Sequence, residues 1–146
     1  MTAAPTLRPA VDADAEGIIL LIAASYAEWP PNVLDVDGEE PDLRRPGSAF
    51  EAFWVLEAVD GEIVGCVAAA TPAQGTTELK KCYVSSALRG GGWGRRLVET
   101  VEAHARARGS RAVELWSDTR FTLAHAVYDW RNQMIEYREG VNHPRE

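Results

Sequence analysis

Cysteine is scarce in this 146-residue chain, represented only by Cys66 and Cys82. Both are isolated in apolar contexts, there is no Cys-x-x-Cys or His-x-x-x-His spacing, and His104, His125 and His143 are scattered. A disulfide scaffold is excluded, no metal site is expected, and both thiols read as reduced and buried. Long apolar runs are also lacking. No stretch reaches the length of a membrane span, and the opening Met-Thr-Ala-Ala-Pro-Thr-Leu-Arg-Pro has no apolar signal-peptide core. A cytoplasmic protein with no membrane contact is therefore expected. Internal repeats and low-complexity tracts are missing too. Positive charge is in deficit, with 15 basic residues against 22 acidic ones and a net charge of −7, which argues against a nucleic-acid surface.

What is present suits a single globular domain over residues 1–146, long enough to enclose a core without staples. With 46% hydrophobic and 25% charged residues, the composition excludes a disordered or fibrous chain. The charge is unevenly spread. Residues 80–111 carry eight basic and two acidic side chains, a +6 segment in a chain whose remainder sums to −13. Such a segment can mark the seat of a compact anionic ligand, although a solvated charged helix gives the same pattern.

Leu7-Arg8-Pro9 reads as a short first strand, and Asp12 or Asp14 as the cap of a helix carrying Ile18, Ile19, Leu21, Ile22 and Tyr26. Pro30-Pro31 stops that helix. Residues 31–48 form a long polar loop around Asp35, Asp37, Glu39, Glu40 and Asp42, with room for one short helix. Its acidity can draw a cationic ligand, but a charge run of this kind more often marks a solvated loop. Residues 53–59 and 63–68 are strands joined by an Asp60-Gly61 hairpin turn, and Glu78 to Val84 form a third strand after a Thr71–Thr77 turn. Gly90-Gly91-Gly92-Trp93-Gly94 opens a helix with Leu97, Val101 and Ala105 on one face, ended by Gly109. Ala112 to Trp116 is a further strand, Phe121 to Arg131 a second amphipathic helix, and Met134 to Arg138 a last strand. The order predicts an α+β fold of three-layer character: a mixed, mostly antiparallel sheet, one parallel pair beside the glycine loop, and flanking helices.

The chemically informative stretch runs from Glu78 through Arg96, where a strand enters a glycine-rich turn and the turn enters a helix. A helix N-terminus aims free backbone N–H groups at one point, and glycine lets a phosphate come close to them. Arg89, Arg95 and Arg96 supply countercharge, so the segment reads as a pyrophosphate cradle. A P-loop needs Gly-Lys-Ser/Thr, yet Gly94 is followed by Arg95-Arg96. A dinucleotide fingerprint needs a third glycine where Leu97 stands, and an opening β-α-β unit where hairpin strands precede.

Arg89-x-x-Gly92-x-Gly94 resembles the acyl-CoA-binding signature of the GNAT superfamily of N-acyltransferases. The resemblance covers most of residues 6–130, including the helix that would hold Tyr128. It implies transfer of an acetyl group from acetyl-CoA to a primary amine of a small molecule or peptide, by direct attack in a ternary complex. It assigns Cys82, Tyr83 and Val84 to the pantetheine and thioester, and Arg89, Gly90, Gly91, Gly92, Trp93, Gly94 and Arg95 to the pyrophosphate. It further implies Tyr128 as the acid for the leaving thiolate and Glu78 as the base. By simple alternation Glu78 shares a strand face with Cys82 and Val84. Cys82 on a strand, with no neighbouring histidine, reads as a packed thiol rather than a nucleophile. The family's usual Gly-Phe after the tyrosine helix is replaced by Trp130-Arg131-Asn132, so residues 132–146 are atypical and a partner subunit in a homodimer is a candidate to complete the acceptor side. A CoA-binding module that has lost catalysis is the alternative reading.

Overall fold

The computed structural model describes residues 3–28, 30–31, 33–118 and 135–140. Strand β1 (Thr6–Pro9) leads through a 3-10 turn (Asp12–Asp14) into helix α1 (Ala15–Ala27). The polar loop that follows contains a one-turn helix, α2 (Val36–Glu39), and a second 3-10 turn (Pro41–Arg44). Strands β2 (Ala52–Glu57), β3 (Ile63–Ala73) and β4 (Thr76–Val84) precede α3 (Trp93–Ala107), β5 (Ala112–Asp118) and β6 (Ile135–Gly140). These strands make one sheet in chain order, antiparallel from β1 to β4. The pair β4·β5 is parallel, as the glycine loop requires, and β5·β6 adds a second parallel pairing beyond the one expected. Parallel neighbours need a crossover of about a dozen residues, and residues 119–134 supply that length. The helix expected over 121–131 lies outside the described residues.

The sheet divides the core into two layers because successive strand residues face opposite ways. Val67, Ala69, Leu79 and Val113 meet Leu97, Val98, Val101 and Ala105 of α3. Cys66, Ala68, Phe53 and Val55 meet Ile18, Leu21 and Ile22 of α1, together with Leu43 from the second 3-10 turn. Among the described residues, no helix is long and apolar enough to cross a membrane.

Two local expectations are corrected. The Thr71–Thr77 turn is mostly strand: β3 runs to Ala73, β4 starts at Thr76, and only Gln74-Gly75 turn, with Gly75 at φ +83°. Pro72 is tolerated because it falls in a register irregularity between Ala70 and Ala73. Neither aspartate caps α1 through its side chain. Instead Asp14 accepts from the Val11 N–H at 2.9 Å, and Asp12 accepts from the Gly47 N–H at 2.7 Å, tethering the polar loop.

Asp14 also receives both terminal nitrogens of Arg8 at 2.9 Å, while the Arg8 Nε donates to Glu57 at 2.8 Å. The Arg8 hydrogen bonds hold the Asp14 carboxyl below the usual carboxylate range. A depressed folded-state pKa contributes stability above the ordinary aspartate value, and that contribution fades as pH falls through the lower folded value. Asp14→Asn should therefore cost about 2 kcal/mol at neutral pH. Denaturant unfolding of both proteins should show that difference shrinking below about pH 4; a difference independent of pH would refute the assignment.

Candidate functional site

The loop that joins β4 to α3 takes the conformation its glycines allow. Gly90 and Gly92 lie at φ +85° and +83°, and a Cβ at either position would point into open space. Gly92 is the N-cap of α3, no side chain caps the helix, and the first intrahelical bond runs from the Arg96 N–H to the Gly92 carbonyl at 3.1 Å. The N–H groups of Trp93, Gly94 and Arg95 thus precede the helical ladder and face outward from a positive helix end. Arg95 is exposed, and the Arg96 guanidinium lies 5.8 Å from the centre of the Trp93 ring. Arg89 is already paired, donating to Glu28 at the end of α1 at 2.7 Å. Gly91 is tight, since a Cβ there would meet the Leu88 carbonyl at 3.3 Å.

Upstream of this loop β4 leaves β5. Their pairing runs from Thr76↔Ala112 to Leu79↔Leu115 and stops, although β4 continues to Val84. Among the described residues no strand covers the β5-facing edge of residues 80–84. Ser85 N–H bonds back to the Val64 carbonyl at 2.9 Å, so by alternation the N–H groups of Val84 and Cys82 point to the open edge and that of Tyr83 points to β3. Cys82, Tyr83 and Val84 are half-buried; Cys82, expected as a buried thiol, is only partly covered yet packs against the α3 layer. Cys66, in contrast, is wholly buried, and burial pushes its thiol far above the usual range.

Where β4 leaves β5, it also carries one extra residue. Cys66 pairs with Tyr83 but Ala68 pairs with Lys80, leaving a bulge centred on Lys81, whose φ is +55°. The extra residue reverses the pleat. Before it Leu79 packs in the α3 layer; after it Cys82 and Val84 do. Glu78 pairs with Ala70 on the other face, so it lies opposite Cys82 and Val84 rather than beside them. Glu78 is 3% exposed and neighbours Glu114, 5% exposed, in the parallel register. Glu78, expected as the base on the Cys82 face, is thus a buried carboxyl on the opposite face of the sheet. Tyr128 falls outside the described residues.

Three residues at the bulge were not legible in the sequence. Lys81 Nζ is ion-paired with Glu40, and the other Glu40 oxygen accepts from the Tyr26 hydroxyl at 2.9 Å. Tyr26 in turn lies 6.4 Å from Tyr83, ring centre to ring centre, and burial raises the Tyr83 phenol well above its usual range. Two other carboxylates of the acidic loop meet arginines and a third binds the backbone. Asp35 accepts from the Gly38 N–H, Asp37 pairs with Arg44 and Asp42 with Arg45, which fits a solvated loop better than a cation trap. A cleft of about 270 Å³ opens on the α1 side, lined by Leu21, Ser25, Glu28, Ile63, Ser85 and Ser86. No group of side chains that could hold a metal ion occurs among the described residues.

Residues 19–131 match the sequence profile described as the Acetyltransferase (GNAT) family. A curated relative, an IAA acetyltransferase of Azospirillum brasilense, is 45% identical over 90 residues, 61% of this chain and 53% of that protein. The chain thus spans about half the length of the curated relative it matches. An acetyltransferase of the GNAT family from Staphylococcus aureus superposes with TM-score 0.80 over 88% of this chain and 82% of its own, at 20% identity, and shows the fold. N-acetylglutamate synthase from Neisseria gonorrhoeae, solved with coenzyme A and L-arginine, is 26% identical with TM-score 0.63, covering 85% of this chain and 27% of that one.

Proposed function

The chain belongs to the Acetyltransferase (GNAT) family, and from that premise we propose that it transfers an acetyl group from acetyl-CoA to a primary amine of a small molecule or peptide, by direct attack in a ternary complex. The observation that carries this reading is the continuity of two sets of outward N–H groups. The open edge of β4 leads, through a 3-10 turn at Ser86–Leu88 and the glycine loop, to the uncapped start of α3. A pantetheine arm with its amides suits the first, and a pyrophosphate suits the second.

In this reading Val84 and Cys82 offer N–H groups to the pantetheine and the thioester carbonyl, with Tyr83 holding the strand to β3. Gly90 to Arg95 take the pyrophosphate, and Arg89 turns from Glu28 to a phosphate oxygen. The amine nitrogen attacks the thioester carbon, the C–S bond breaks, and the thiolate leaves with a proton from Tyr128. A protonated amine has no lone pair to attack with, so Glu78 takes its proton, directly or through water. On this reading Glu78 acts from the α1 face of the sheet, opposite Cys82. A cytoplasmic setting fits a protein that draws on acetyl-CoA.

A thermal-shift screen tests the reading. Acetyl-CoA at about 100 times its dissociation constant adds about 2.7 kcal/mol to stability, a shift of several degrees for a domain of this size. Thiol release should then follow on a panel of primary amines. Stabilisation by NAD or FAD in place of acetyl-CoA would overturn the acyl-CoA reading. CoA binding without thiol release on any amine would support a binding module that has lost catalysis.

A further inference from the structure

Among the described residues, Lys81 is the only non-glycine at positive φ, +55°. A left-handed backbone is unfavourable for any residue with a Cβ, and lysine lacks the short polar side chain with which Asn or Asp offsets that cost. Such a conformation persists when its surroundings over-determine it. Here they act from two sides. The Lys81 carbonyl accepts from the Cys66 thiol at 3.2 Å. The Lys81 ammonium is ion-paired with Glu40, both side chains only 10% exposed, and Glu40 is fixed in turn by the Tyr26 hydroxyl. Leu43, wholly buried three residues beyond Glu40, anchors the same loop. An exposed ion pair would hold little. This one is largely removed from water, so losing either partner strands the other charge.

The bulge that Lys81 forms is also the point at which β4 parts from β5. We infer that Glu40 is a positioning residue for acetyl transfer: through its ion pair with Lys81 it holds the bulge in the left-handed form that keeps the β4 edge open. The polar loop after α1 and the strand that would hold the thioester are thereby set by one contact, made across 41 positions of sequence. This inference rests on the reading of that edge as the thioester site.

The test is a cycle of Glu40→Gln, Lys81→Gly and the double variant. It is read by hydrogen exchange of the 80–84 amides without acyl-CoA, and by kcat/KM for acetyl-CoA. Glu40→Gln should speed exchange in that segment and lower kcat/KM about tenfold, the scale of the left-handed penalty it unmasks. Glycine adopts positive φ freely, so on the Lys81→Gly background Glu40→Gln should change either quantity less than about twofold. Lys81→Met removes the same ion pair from its other end and should match Glu40→Gln, which covers the case in which Glu40→Gln does not fold. Unchanged exchange on Glu40→Gln and Lys81→Met, or an equal tenfold loss on the glycine background, would overturn the inference. Faster exchange in a protein that never releases CoA would keep the pinned bulge and overturn only the transferase reading.

Discussion

Gly92→Val is expected to weaken acetyl-CoA binding by at least about 100-fold while the protein still folds. At φ +83° the N-cap of α3 sits where a β-branched residue is strongly disfavoured. The cost to folding is limited to about 1–2 kcal/mol, against a stability of about 5–15 kcal/mol for ordinary domains. No protein atom stands where the new Cβ would go, so no core contact breaks. The ligand side fares worse. The new side chain fills the approach to the loop, and relaxing the backbone to negative φ re-aims the N–H groups of Trp93 to Arg95. Two charge-assisted hydrogen bonds lost at about 1.5 kcal/mol each already exceed a 100-fold change. Calorimetric titration with acetyl-CoA, beside a thermal melt of the free protein, separates the two effects. Undiminished affinity would remove the loop from the CoA site.

Tyr128→Phe should lower turnover by about 100-fold or more, within the usual range for loss of a general acid, and leave acetyl-CoA affinity unchanged. A phenol with a pKa near 10 remains protonated at neutral pH and can supply the departing thiolate. Phenylalanine keeps the ring and loses only the proton. Steady-state kcat measured beside the dissociation constant gives the answer. An equal loss in both would mark a packing role, and full activity would end the assignment of Tyr128 as the acid.

Much of the fold is written in residue types whose physics is local. Gly61, Gly90, Gly92 and Gly109 all stand at positive φ, so the hairpin turn and both ends of α3 could be placed from their glycines. The apolar period of α3 and the buried row Leu97, Val101 and Ala105 agree for the same reason. The bulge escaped because nothing in Lys80-Lys81 marks it. Lysine is neither a turn residue nor a glycine substitute, and counting by twos across it sends every later side chain to the wrong layer. That single slip put Glu78 beside Cys82. The Glu40 contact escaped for another reason. In a run with Asp35, Asp37, Glu39 and Asp42, one carboxylate looks like the next, and only the tertiary fold distinguishes the one that meets Lys81 and Tyr26.

Arg89 stands beside the glycine loop with a carboxylate already in hand. In the proposed CoA site an incoming phosphate therefore exchanges one anion for another at this residue, and its gain is a difference between two similar contacts. Affinity at the loop then resides in amides that no side chain caps. On the proposed reading the arginine acts as a filter. A small, singly charged ion has nothing to offer it beyond what Glu28 provides, whereas a diphosphate can engage the amides with one group and compete for the guanidinium with the other. Glu28, once released, leaves a negative charge at the end of α1 beside the same ligand. The exchange favours only ligands that grip the loop strongly enough to tolerate it.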